Sequence, residues 1–192
     1  MLAGIADYLT ARGVDVVRTR EPGGTALGDR LRAAFVEPGL AIDAVAEAFV
    51  VNASRAQHVA EVIEPALRIG KFVLCDRFSA ATLAYQGYGR GVDLRALETL
   101  ARIATGGLRP ALTLLVDVPI KVSRQRLAAR ARASGVPEDR LERESSDFHT
   151  RVRDGYLALA RSDEHTVTLD GTQSVEALLQ AACRIVTAKL GV

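Results

Sequence analysis

The chain has 192 residues, 48% of them hydrophobic, and 25 Lys and Arg against 23 Asp and Glu give a formal net charge of +2. This suits one globular domain with an ample core, residues 1–192, and the near-balanced charge gives no ground for a nucleic-acid or membrane-surface partner. Cys75 and Cys183 lie far apart with no C-x-x-C spacing, no signal peptide is visible and no apolar run has membrane length, so the expected location is cytoplasmic.

Leu2, Ile5 and Leu9 recur at helical spacing, and Gly13 follows as a stop. Residues 14–19 read as a strand. The turn Glu21-Pro22-Gly23-Gly24-Thr25 then opens a helix over Ala26 to Phe35. A long helical stretch covers Ala44 to Ile69, with Pro65 as its expected kink. Residues 71–76 form a short apolar run of the buried parallel-strand type, which places Cys75 in the core. Helices follow over about 79–85 and 94–103, then a second buried-type strand over 112–117. Two more helices cover about 120–133 and 145–160. Between them, Arg132 to Asp139, with Gly135 and Pro137, reads as a flap. A strand over 165–169 leads to a last helix over about 175–190. Alternating strands and helices predict an α/β fold: a parallel sheet with helices on both faces.

In such sheets ligands bind beyond the carboxyl ends of the strands. Three polar clusters fall there: Thr19-Arg20-Glu21-Pro22-Gly23-Gly24, Asp76-Arg77-Phe78 and Asp170-Gly171-Thr172-Gln173. An arginine fixed at a strand end is well placed to grip a phosphate. Each Asp or Gly taken singly also reads as an ordinary turn residue or helix cap. A further run, Arg124, Arg126, Arg130, Arg132, Arg140, Arg143, Arg151 and Arg153, is either a solvated helix face or a phosphate-facing surface.

Taken together these segments resemble thymidylate kinase of the bacterial type. Thr19-Arg20-Glu21-Pro22-Gly23-Gly24-Thr25 looks like that family's T-R-E-P-G-G-T signature, and Asp76-Arg77-Phe78 looks like its D-R-[YFH] motif. Ala84-Tyr85-Gln86-Gly87 follows at the family's spacing. Ser54-Arg55-Ala56-Gln57-His58 resembles the base-reading helix segment. Arg140-Leu141-Glu142, Asp147-Phe148, Arg151 and Tyr156-Leu157 resemble the segment closing the lid. The resemblance implies a P-loop-kinase-like fold, ATP and Mg2+ as cofactors, dTMP as acceptor and a homodimer built partly through the helix near Ala44–Ile69.

It also implies roles. Arg77 would bind and orient the dTMP phosphate, and Arg55 would hydrogen-bond the thymine edge. Tyr85 would lie against the deoxyribose, with Thr82 and Gln86 close to the substrate. Glu21 would stand near the sugar and, indirectly, the metal. Arg126, Arg130, Arg132 and Arg140, in a lid spanning about residues 126–143, would close over ATP. Thr172 and Gln173 would pack near adenine. Two positions depart from the pattern. Val51 stands where the family usually has a phenylalanine stacked on thymine, and Ala81 where serine is common. These departures leave another small nucleotide or nucleoside open as substrate.

The resemblance also predicts a strand and a phosphate-binding loop ahead of the first helix. No G-x-x-x-x-G-K-[ST] occurs in the 192 residues. The expectation is that the first, central strand and the loop are absent from this chain, and that the strand would lie between those ending at Asp76 and Asp117. The chain as written is then expected to be inactive as a kinase, with a non-catalytic dTMP-binding homologue as the alternative.

Overall fold

A computed structural model describes all 192 residues, Met1–Val192. Helices and strands alternate as the periodicity predicts, with boundaries moved by a few residues. Helix α1 (Leu2–Thr10) leads to β1 (Val16–Arg20), α2 (Ala26–Val36) and α3 (Ala44–His58). Short α4 (Glu64–Arg68) precedes β2 (Phe72–Asp76) and α5 (Ser79–Thr82). Then come α6 (Leu94–Thr105), β3 (Thr113–Asp117), α7 (Ile120–Ser134), α8 (Ser146–Ser162), β4 (Thr166–Asp170) and α9 (Val175–Leu190). Side-chain oxygens of Thr25, Asp43, Asp93, Ser145 and Ser174 cap α2, α3, α6, α8 and α9, each accepting an orphan N–H of the first turn.

Two expected helices need correction. The stretch Ala44–Ile69 is not one helix kinked at Pro65: a π-helical turn over Val59–Ile63 separates α3 from α4. Pro65 has no N–H to give to the carbonyl four residues back, and the chain takes a wider turn just ahead of it. The helix expected over 79–85 is regular only to Thr82, and Leu83–Gly89 is π-helical. Its glycines let neighbours approach closely; a Cβ on Gly89 would meet the Phe148 ring at 2.7 Å.

β1 pairs in parallel with β2 from Val16↔Phe72 to Arg20↔Asp76, and β3 with β4 from Thr113↔Thr166 to Asp117↔Asp170. The sheet is therefore two parallel pairs. β2 and β3, between which the resemblance places a further strand, do not pair with each other.

Alternation along the strands divides the faces. Phe72 and Leu74 of β2 and Leu114 and Val116 of β3 point to a core of Ile5 and Leu9 from α1, Leu169 of β4, and Leu178, Ala182, Cys183 and Val186 from α9. Burying each large side chain here contributes about 1.5–3 kcal/mol. On the other face α8 covers β3 and β4, and its Arg153 pairs with Asp117 at 2.7 and 2.8 Å. Each pair thus ends in register, β1 and β2 at Arg20 and Asp76, β3 and β4 at Asp117 and Asp170. No helix is long and apolar enough to cross a membrane.

Candidate functional site

A cavity opens beyond the carboxyl ends of β1 and β2. It is lined by Glu21 and Pro22 after β1, Phe35 of α2, Val51 and Arg55 of α3, Arg77 and Phe78 after β2, Ala81 and Thr82 of α5, Tyr85 and Gln86 of the π segment, and Leu141 beyond α7. The seven residues the sequence assigns to the acceptor, Glu21, Val51, Arg55, Arg77, Thr82, Tyr85 and Gln86, all meet there.

The polar floor is built around a buried carboxylate. Glu21 accepts from Arg55 Nε at 2.7 Å and contacts His58 Nδ1 at 3.0 Å. His58 Nε2 lies 2.6 Å from the Thr19 hydroxyl. Arg55 also donates to Asn52 Oδ1 at 2.9 Å and to Thr82 Oγ1 at 3.0 Å. A guanidinium has five N–H donors, so after these three bonds Arg55 retains two. The turn beside this floor requires glycine. Gly24 has φ +82°, and a Cβ there would lie 2.8 Å from the His58 ring. The Gly23 N–H donates to Ser54 Oγ at 3.0 Å, which ties the turn to α3.

Arg77 differs from Arg55. It is exposed, takes part in none of the ion pairs, and its guanidinium carbon sits 5.0 Å from the centroid of the Tyr85 ring. Its φ of +69° puts a bulky residue in the left-handed region, a strain of about 1–3 kcal/mol that often marks functional positions. The carbonyl of Arg77 accepts from Cys75 Sγ at 3.0 Å. Burial pushes the Cys75 thiol up, and Glu21 and Asp76 add to the rise, so this cysteine is an un-ionised hydrogen-bond donor. Tyr85 packs edge-on to Phe148 and Tyr156 of α8, with centroids 6.1 and 6.3 Å away.

A second buried acid links the cavity to the loop after α7. Glu47, on α3, is fully buried. It accepts from Gln86 Nε2 at 2.8 Å and Arg140 at 2.6 Å, and pairs with Arg90 at 3.0 Å. Arg140 also donates from Nε to the Phe35 carbonyl at 2.9 Å and from its backbone N–H to the Val36 carbonyl at 3.1 Å. Its guanidinium is thus engaged by α2 and α3.

The other arginines expected to form a lid lie elsewhere. Arg126 donates to the Gly171 carbonyl at 2.8 Å, next to Thr172 and Gln173. Arg130 pairs with both oxygens of Glu142 at 2.9 Å. Arg132 is exposed and has no ion pair. No residue of α7 is buried. Thr172 and Gln173 are exposed beyond β4, where Thr172 bonds Asp170 at 2.7 and 2.9 Å and holds its carboxyl below the usual range.

The Glu21–His58–Cys75 trio brings its ligand atoms within 4.8 Å of one another. It does not fit magnesium, which takes oxygen ligands in a regular octahedron. Two of the three atoms are nitrogen and sulfur, and the Glu21 carboxylate already holds Arg55 and His58.

The sequence reading missed Glu47 and Phe35. Glu47, Val51 and Arg55 stand four residues apart, with His58 three further on. An acid in an apolar helix, on the face that carries Arg55, was the available signal for Glu47. Nothing local marks Phe35, because what matters is the contact made across from α3.

A family model described as thymidylate kinase matches residues 1–182. A thymidylate kinase of Desulfovibrio desulfuricans is 53% identical over 178 residues, covering 90% of this chain and 81% of the relative. One from a Geobacter species, strain M21, is 50% identical over 175 residues, 90% of this chain and 78% of the relative. One from Chromohalobacter salexigens is 41% identical over 192 residues, 98% of this chain and 89% of the relative.

Proposed function

The chain belongs to the thymidylate kinase family, and we propose that its cavity is the dTMP site for ATP-dependent phosphorylation of dTMP to dTDP, a reaction that the 192 residues by themselves, with no G-x-x-x-x-G-K-[ST], are not expected to complete. The observation that carries this is the gathering of seven residues from β1, α3, β2, α5 and the π segment around one cavity. Arg77, exposed and without an ion pair, grips the acceptor phosphate. The two spare donors of Arg55 meet the thymine edge, with Thr82 and Glu21 fixing the plane of the guanidinium. Tyr85, held edge-on to Phe148 and Tyr156 of α8, lies along the deoxyribose and disfavours a 2′-hydroxyl. Gln86 closes the floor.

On the donor side, Arg126 and the Thr172–Gln173 loop support an adenine-facing edge, since Arg126 is bonded to that loop. Arg132, exposed on α7 and without an ion pair, is the lid arginine with charge free for the transferring phosphoryl group, where positive charge lowers the barrier. Arg140 serves the hinge. Magnesium, when bound with ATP, neutralises phosphate charge; the described carboxylates form no oxygen cage for it, and no step is assigned to it. The same reading makes the chain one domain with a lid over about residues 126–143, working in the cytoplasm as a homodimer. Val45 and Phe49, exposed by 49% and 59% on one edge of α3, support the pairing, whereas Val59 is core.

The test is dTDP formation from ATP with magnesium, run with dTMP, dUMP and the ribonucleotide of thymine, alongside equilibrium binding of each acceptor. Preference for dTMP in equilibrium binding is expected, with no dTDP formed by these 192 residues, which hold no G-x-x-x-x-G-K-[ST]. Turnover of dTMP would overturn the expected inactivity and leave the acceptor assignment standing. Equal treatment of all three acceptors would contradict the acceptor assignment.

A further inference from the structure

The cavity has one apolar end to which α2 contributes a ring, beside the Phe78 and Tyr85 rings that also line the cavity. Phe35, Val51 and Leu141 form a single buried cluster, and all three line the cavity. A flat base gains most from a ring against its face. Val51 offers methyl groups from α3, and Leu141 offers them from the lid base. Phe35 supplies the ring, and it is 4% exposed. Arg140 fixes it twice: Nε donates to the Phe35 carbonyl at 2.9 Å, and the guanidinium carbon stands 5.1 Å from the ring centroid. Arg140 is fixed in turn by the buried Glu47 carboxylate at 2.6 Å.

We propose that Phe35 is the specificity-determining aromatic contact for the thymine base, providing from α2 the ring that Val51 does not provide from α3, with Arg140 and Glu47 as positioning residues that hold it. The inference rests on the dTMP reading above. It accounts for a valine on α3 without a loss of base stacking, because the ring has moved to the facing wall.

Calorimetric titration with dTMP tests it. Phe35→Leu and Phe35→Met keep an apolar side chain and remove the ring; each is expected to weaken dTMP about three- to tenfold in a chain that still melts cooperatively, at a lower temperature because a buried ring is lost. Adding Val51→Phe to Phe35→Leu places a ring on the other wall and is expected to restore most of the affinity. Arg140→Lys is expected to weaken dTMP in the wild-type background but not in the Phe35→Leu background. Unchanged binding by both Phe35 variants overturns the inference, as does a loss that Val51→Phe leaves in place. Equal losses from Arg140→Lys in both backgrounds would remove its positioning role. A wild-type chain that binds no dTMP would contradict the functional reading itself, a result separate from any variant's.

Discussion

Arg77 and Arg55 show how one residue type takes two jobs in one cavity. Arg55 is 2% exposed and committed to Glu21, Asn52 and Thr82, so it is a fixed template. Arg77 has no ion-pair partner and sits in a strained backbone region beside the cavity, so it is the group with charge to offer. Arg77→Met is expected to weaken dTMP about 10–100-fold, the worth of one or two charge-assisted hydrogen bonds, and to leave the melting temperature near wild type. Glu21→Ala is expected to do the opposite in kind. It strands a buried guanidinium and should lower stability by about 3–5 kcal/mol in chemical denaturation, with dTMP binding lost as Arg55 swings free. Both arginines were legible in the sequence because their motifs name them. Their division of labour was not, since it depends on which carboxylate each guanidinium reaches.

The helix elements hold the site by close contacts. Gly155 of α8 leaves no room for a Cβ, which would stand 2.5 Å from the Tyr88 ring of the π segment. Gly155→Ala is expected to cost about 1–3 kcal/mol by overpacking, read by denaturant unfolding, and to disturb Tyr85 on the same segment. Histidine 149, on the first turns of α8, has a buried Nε2 with no hydrogen-bond partner. Burial lowers its pKa from the ordinary 6.5 and the nearby Arg124 lowers it further, against smaller opposing effects of Glu142 and Glu144. The folded state then binds fewer protons here than the unfolded state. Stability should therefore fall as pH drops through and below 6.5. His149→Phe is expected to flatten that part of the pH–stability curve; an unchanged slope would show that His149 does not contribute. The element order and most boundaries were readable from periodicity. The two π turns were not, because they arise from a missing N–H at Pro65 and from glycine-permitted packing on α8, and neither leaves a periodic trace.

At the scale of the whole molecule, each parallel strand pair brings two carboxyl ends together, and α3 lines the cavity beyond β1 and β2 with Val51 and Arg55, Glu47 and His58 being buried on the same helix. The outer side of the same helix exposes Val45 and Phe49. Phe49→Glu is expected to shift sedimentation from dimer to monomer without weakening the Glu21–Arg55 floor; a wild-type chain that sediments as a monomer would contradict the pairing. The fold class and family were legible because five motifs stand in order along the chain. The link from lid to cavity through Glu47 and Arg140 was not, since those residues lie far apart in sequence and meet only when α7 and its loop fold back on α2 and α3.

The central claim is that this cavity is a dTMP acceptor site with Arg77 at its phosphate end. The most direct measurement is calorimetric titration of dTMP and of thymidine, which lacks the phosphate, into the wild-type chain and Arg77→Met. The account predicts saturable one-to-one binding of dTMP to wild type, much weaker binding of thymidine, and loss of that difference in Arg77→Met. Binding that ignores both the phosphate and Arg77 would contradict it.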